Sequence, residues 1–386
     1  MHKIRKVLLI FVCVKCKIEC LFYTLQTIKP MKHYLFFCTH SYAVPILRPL
    51  EKAIKSRGGD VAWYLEKSCP VSVLNDSDRR LDSLKEVRAW NPLAVFAPGI
   101  YVYDFFPGVK VEVFHGYPIY KRGGTEETHF RIRGWFDIYL SSGPSSTPIF
   151  KELEKKDGSF RVYETGWAKA DAMVNARQEV EAEQSQAGIG TQKSRPTVFV
   201  ATTFTDYVTQ LRNLFPTIKR LSETRDWNWV ITMHPKLEDA ELRADIKRLA
   251  DERDNVTYYP EPPAPEVLAR TDVMLCDASS IILEYMMLEK PVVTLRNTTP
   301  GPHLIDVQEP EEVEAALEKA MLRPQELMDE IHRYLDFHEA HRDGQNCERI
   351  LDAVDDFVAN HQSHLKRKPL NLFRKLKIRW KFLSEK

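Results

Sequence analysis

The chain has 386 residues, 44% of them hydrophobic and 28% charged, the composition of an ordinary globular protein rather than a fibrous, disordered or membrane-spanning one. Its formal net charge of +1 is unevenly spread: residues 1–30 hold six Lys or Arg against one Glu, residues 366–386 hold nine against one, and the stretch between is mildly acidic. This excludes a nucleic-acid groove across the body and points the basic ends at an anionic surface.

The first residues place Lys3, Arg5 and Lys6 before an apolar run of eight, Val7 to Val14, far short of the ~20 a spanning helix needs. Lys15, Lys17 and Glu19 follow at once and no small-residue cleavage site appears, so the segment does not read as a cleaved leader. Met31 is expected to be the true start, or residues 1–30 a short disordered extension, with a weak interfacial anchor as the alternative. Cys13 and Cys16 lack a second ligand pair at zinc-finger spacing, and no metal is expected. Cys38 and Cys276 sit in strand-like runs and read as core residues. Seven cysteines without a disulfide framework suit the cytosol.

Apolar runs at 34–38, 61–65, 93–97, 109–114 and 137–140 predict buried strands, with amphipathic helical segments at 45–56 and 79–90 between them. The polar stretch 175–196 opens as a charged helix and closes with Gly188, Gly190 and Pro196, a linker pattern. Strand-like runs resume at 197–201, 229–233, 256–259, 273–276 and 291–295, separated by helical segments at 207–224, 239–253 and 279–288. Residues 311–321, 324–338 and 347–361 are helical in pattern. This alternation predicts an α/β protein with two doubly wound parallel-sheet domains, 31–174 and 197–361, and a helical C-terminus. That is a GT-B-like layout, with a ligand cleft between the C-terminal ends of the strands.

The strand ends carry the candidate chemistry. One strand runs into His115-Gly116-Tyr117-Pro118 and then Lys121-Arg122-Gly123-Gly124. An imidazole at a cleft mouth accepts a proton near neutrality, and Gly116 with Lys121 favours an anion. A capping or core-edge histidine is the plainer alternative. His234-Pro235 closes a strand of the second domain. Asp277-Ala278-Ser279-Ser280 opens an apolar helix, where hydroxyls beside free backbone N–H groups favour phosphate; a simple N-cap would need only one serine. Glu284 lies on the same helical face as Ser280 and meets either a ribose or solvent. Thr202 and Thr203 add a hydroxyl-rich turn at the same rim. No acidic metal cluster of the Asp-x-Asp kind stands at these strand ends, so neither a divalent metal nor another cofactor is expected.

Taken in order, these motifs resemble the CDP-glycerol glycerophosphotransferase family, which builds teichoic-acid-type polyol phosphate chains. The resemblance rests on His115-Gly116-Tyr117-Pro118 with Lys121, Gly166-Trp167-Ala168-Lys169-Ala170-Asp171, His234-Pro235, Asp277-Ala278-Ser279-Ser280 and Asp343-Gly344 with Arg349. Ala168, Lys169 and Ala278 depart from the family pattern. The resemblance implies transfer of a polyol phosphate from a CDP-linked donor to a glycan or lipid-linked acceptor, with release of CMP. It implies His115 as general base and His234, Ser279 and Ser280 as holders of the diphosphate. Asp277, Thr203 and Glu284 would assist them, and Gly166, Lys169 and Asp171 would shape the cleft. The alternatives are a nucleotide-sugar glycosyltransferase or epimerase on the same fold, and a non-catalytic binding protein with a degenerate cleft.

In the tail, 366–386, Phe373, Leu376, Trp380 and Leu383 recur at three- and four-residue spacing with Arg374, Lys375, Lys377 and Lys381 around them. This predicts an amphipathic helix lying on an anionic membrane surface, peripheral to the inner face of the cell membrane. A helix packed back on the N-terminal domain is the alternative.

Overall fold

The structure, a computed structural model, describes residues 31–118, 130–186, 195–205 and 207–384. The extension 1–30, its three cysteines and Lys121 lie outside the described residues.

Two six-stranded parallel sheets form the two halves. The first contains β1 (His33–Cys38), β2 (Asp60–Leu65), β3 (Ala94–Ala97), β4 (Val109–Val113), β5 (Ile138–Ser141) and β6 (Arg161–Glu164), in the order β2-β1-β3-β4-β5-β6. The second contains β7 (Thr197–Val200), β8 (Asn228–Thr232), β9 (Val256–Tyr259), β10 (Val273–Cys276), β11 (Val292–Leu295) and β12 (Ile305–Val307), in the order β12-β11-β10-β7-β8-β9. The expected GT-B-like α/β architecture is what the chain adopts. Neither β6 nor β12 follows from the apolar pattern, because each is an edge strand with polar positions facing solvent.

Period-two alternation sorts the strands between layers. In β1, Tyr34, Phe36 and Cys38 face the central core, whereas Leu35 and Phe37 join an aromatic cluster on the outer side with Tyr103, Phe106 and Phe136. In β10, Met274 and Cys276 face the central core while Val273 and Leu275 pack outward. Cys38, Cys69, Cys276 and Cys347 are buried thiols without disulfides.

The central core is continuous between the halves. It includes residues of the helix Ala170–Gln186 and of the late helices Gln325–His338 and Asn346–Asp356. The chain thus returns from the second sheet to brace the first: Asn346–Asp356 packs on Ala43–Ser56 and on Ala170–Gln186. The helix Ala170–Gln186 runs without a break through positions 174 and 175.

The tail returns as well. Its helix, Leu372–Ser384, docks on the outer side of the N-terminal sheet through Ile378 and Phe382, and Phe382 packs at 5.1–5.2 Å between ring centres on Phe105 and Tyr103. Among the described residues no helix is long and apolar enough to cross a membrane.

Candidate active site

Between the two halves lies a cavity of about 800 Å³, within the size range of small-molecule sites. Its walls include Lys52 from the N-terminal half, Lys169 and Asp171 from the connecting segment, and Thr202, Thr232, His234, Ser279, Ser280 and Glu284 from the C-terminal half.

The C-terminal wall follows from strand register. In β8 and just beyond it, Trp229, Ile231 and Met233 pack into the outer core, so Val230, Thr232 and His234 are presented on the opposite side. Backbone N–H of Lys236 donates to His234 Nδ1 at 3.1 Å. A neutral imidazole accepting at Nδ1 carries its proton on Nε2, and His234 is therefore an N–H donor toward a ligand. Phe204 backs the ring at 4.4 Å. The Thr202 and Thr232 hydroxyls are buried and have no hydrogen-bond partner among the described residues. Such unmet groups cost free energy until a ligand or water satisfies them.

Ser279 and Ser280 both line this wall. Ser280 makes no side-chain capping bond to the helix that follows, so the hydroxyls are not consumed as caps. That helix is short, Ile281–Met286, rather than the longer 279–288 segment expected, and the serine hydroxyls matter more here than any helix dipole.

Two expectations need correction, those for Asp277 and Thr203. Asp277 does not face the cavity. It is fully buried, and its carboxylate accepts the backbone N–H of Thr203 at 2.9 and 3.1 Å and of Gln210 at 3.2 Å. Its role is to hold the β7 rim loop, since a carboxylate turned toward a diphosphate would repel it. Thr203 is likewise tied to Asp277 and does not line the cavity; its neighbour Thr202 does. Glu284 is not simply solvated: it lines the cavity and forms an ion pair with Lys169 at 2.5 Å, joining the two halves.

Gly166, Lys169 and Asp171 divide. Lys169 and Asp171 line the cavity, whereas Gly166 does not. Asp171 also caps the late helix, accepting the N–H groups of Asn346 at 2.9 Å and Cys347 at 2.7 Å. Gly166 has φ +76°, and a Cβ there would collide with the Glu339 carboxylate and the Asn346 amide. Only glycine fits that backbone.

His115 follows β4 at the C-terminal rim of the N-terminal sheet. It is exposed and does not line the cavity, nor does Gly116. The surrounding protein, through desolvation, lowers the His115 pKa below 6.5, which keeps it neutral near pH 7. Tyr42 stands beside it, 5.7 Å between ring centres, and His40 stands beside Tyr42. Both come from the turn after β1, a strand end that sequence reasoning passed over. The loop behind His115 is fixed by a buried cluster: Tyr117 donates to Glu339 at 2.6 Å, as do the Trp167 backbone N–H and the Asn346 amide. Trp167 Nε1 donates to the Phe114 carbonyl at 2.6 Å.

The sequence profile of the UDP-N-acetylglucosamine 2-epimerase family matches residues 149–355, more than half of the chain. The chain belongs to that family. The match takes in β6, the whole C-terminal sheet and the late helices, and with them most of the residues that line the cavity. No curated protein matches the chain in sequence. Among solved structures, a UDP-GlcNAc 2-epimerase from Neisseria meningitidis bound to UDP-GlcNAc is similar, with 16% identity, a TM-score of 0.55 and coverage of 84% of this chain and 100% of that one. The wall teichoic acid polymerase TagF is similar with 14% identity, a TM-score of 0.59 and coverage of 86% and 90%. Likeness at this identity concerns the fold alone, a fold shared by epimerases and by TagF. The motif resemblance to glycerophosphotransferases is thus placed within a broader set, and the family match falls to its epimerase side.

Sequence reasoning also missed Lys52, Thr232 and Glu339. Thr232 was within reach, because it lies two residues before His234 on the same strand face. Glu339 was not, since Tyr117 and Trp167, which it joins, are more than 170 residues away.

Proposed function

We propose that this family member is an enzyme that holds a nucleoside-diphosphate sugar of the UDP-N-acetylhexosamine class in the cavity between its two sheets, and acts where the sugar joins the diphosphate. The observation that carries the reading is the convergence of His234, with its proton on Nε2, and the two unmet hydroxyls of Thr202 and Thr232 on one cavity wall. These donors, with Ser279 and Ser280, match a diphosphate. They stabilise the negative charge that collects on the nucleotide as its bond to the sugar breaks. Lys52 supplies a cation from the opposite wall. Neutral His115, at the open rim outside the cavity, is suited to proton transfer on a sugar that reaches from the cavity to that rim.

A second reading, transfer of a polyol phosphate from a CDP-linked donor to an acceptor hydroxyl, is favoured by one observation. His115 stands outside the cavity in an open rim with His40 and Tyr42, where a second substrate could present a hydroxyl to the imidazole. The deciding experiment incubates the protein separately with UDP-N-acetylglucosamine and with CDP-glycerol plus a glycerol-phosphate primer, and follows both by NMR. Formation of a second UDP-N-acetylhexosamine, or of UDP and a transferred or free sugar, supports the first reading. An inert UDP-sugar together with primer-dependent CMP release replaces it with the second.

A further inference from the structure

The tail helix Leu372–Ser384 has two working faces. The inner one is held by the protein's own N-terminal half. Asn371 donates to the Arg133 carbonyl at 3.0 Å, Lys375 and Arg379 reach Asp104 at 3.6 and 3.0 Å, Lys381 meets Glu66 at 2.6 Å, and Phe382 enters the aromatic cluster. The outer one carries Phe373, Leu376, Trp380 and Leu383, which are 90%, 63%, 74% and 67% exposed. Monomeric soluble proteins rarely leave so many large apolar side chains aligned in one exposed stripe.

Charge identifies the occupant. Arg374 and Lys377 are exposed beside this stripe, Arg374 also donating to the Arg133 carbonyl at 3.2 Å, and neither has an ion-pair partner among the described residues. Arg367 precedes the helix in the same condition. The cations that are paired belong to the inner face or its edge. Apolar side chains flanked by cations without carboxylate partners match the acyl and phosphate layers of an anionic bilayer, whereas a protein partner for the stripe would have to bring its own carboxylates.

We propose that the tail helix is an interfacial anchor that stays docked on its own domain while its outer face enters an anionic lipid surface. Docking makes the anchor rigid. The helix ends against Glu66 and Tyr101, on loops leaving the C-terminal ends of β2 and β3. That is the end of the sheet from which β4 delivers His115, so a bound bilayer lies on the side of the open rim.

The test is cosedimentation of the full chain with phosphatidylcholine vesicles, with and without phosphatidylglycerol, at physiological salt. The wild type should pellet with the anionic vesicles and weakly with the neutral ones. Phe373→Ser, Leu376→Ser and Trp380→Ser combined, and separately Arg374→Glu with Lys377→Glu, should each lower partitioning at least ~10-fold. Both variants change exposed side chains, and an unchanged melting temperature would show that they remain folded. The proposal is overturned if the wild type stays in the supernatant, or if the apolar variant pellets as well as the wild type. It is equally overturned if the stripe proves to be a dimer seam, with the wild type dimeric, the triple variant monomeric and neither bound to lipid.

Discussion

The two rims that meet at the cleft are built on opposite principles. On the C-terminal rim the polar groups are preset: one N–H fixes the His234 tautomer, the Thr202 and Thr232 hydroxyls wait without partners, and Asp277 is spent on the backbone behind them. On the N-terminal rim, His115 is exposed among His40 and Tyr42, and the order lies one layer deeper, in the Tyr117–Glu339–Trp167 cluster. The first arrangement suits the charged part of a substrate that does not change during the reaction. The second suits the part where bonds change, and it leaves room for substrates that differ there.

The largest effect that separates the rims should come from His115→Ala. Turnover of the accepted nucleotide substrate should fall by ~10²–10⁴-fold, with nucleotide affinity measured by calorimetry unchanged. More than half of wild-type turnover would remove the N-terminal rim from the chemistry. Because desolvation lowers the His115 pKa, activity of the wild type should be lost on acidification only below pH 6.5, where the imidazole takes up its proton.

Asp277→Ala tests the scaffold of the other rim. It strands the N–H groups of Thr203 and Gln210 in a buried site and should cost about 3 kcal/mol in urea unfolding. A loss under about 0.5 kcal/mol would mean that this carboxylate does not hold the loop.

The Glu339 cluster gives a pH signature. Burial raises the Glu339 pKa to about 8, from 4.5, so between those values the folded protein keeps a proton that the unfolded chain releases. The Glu339 contribution to stability is therefore full below pH 4.5, falls as pH rises to about 8, and is flat above it. Glu112 is buried with a pKa of about 8 and acts in the same direction. Glu339→Gln should flatten the decline without abolishing it. A decline between pH 5 and 8 as steep as in the wild type would show that Glu339 does not contribute.

Thr202→Val is the smallest and most discriminating change. Removing an unmet buried hydroxyl should leave the free protein as stable as before or slightly more stable, while UDP affinity falls about threefold to tenfold. Lower stability with unchanged affinity would place the hydroxyl in the scaffold instead.

Much of this was legible in the sequence. Buried parallel strands such as β1 and β10 announce themselves as continuous apolar runs, and strand-end motifs such as His234-Pro235 and Ser279-Ser280 point to the rim they occupy. The edge strands were not legible, because Arg161–Glu164 and Ile305–Val307 keep polar residues where one side of the sheet ends. Asp277 was misread because a one-dimensional motif does not say whether a carboxylate faces a ligand or the backbone beside it. The Glu339 cluster depends on partners far apart in the chain, which no local spacing encodes. In the tail, periodicity disclosed the apolar face of Phe373 and Trp380 but not the aromatic cluster that receives Phe382.

The central claim is that the C-terminal rim holds a nucleoside diphosphate through His234, and it is most directly tested by calorimetric titration of UDP into the wild type and into His234→Ala. The account predicts binding to the wild type and about tenfold weaker binding to the variant, a loss of ~1.4 kcal/mol, with both proteins melting at the same temperature when free. Equal affinity for the two proteins, or no UDP binding to the wild type, would contradict it.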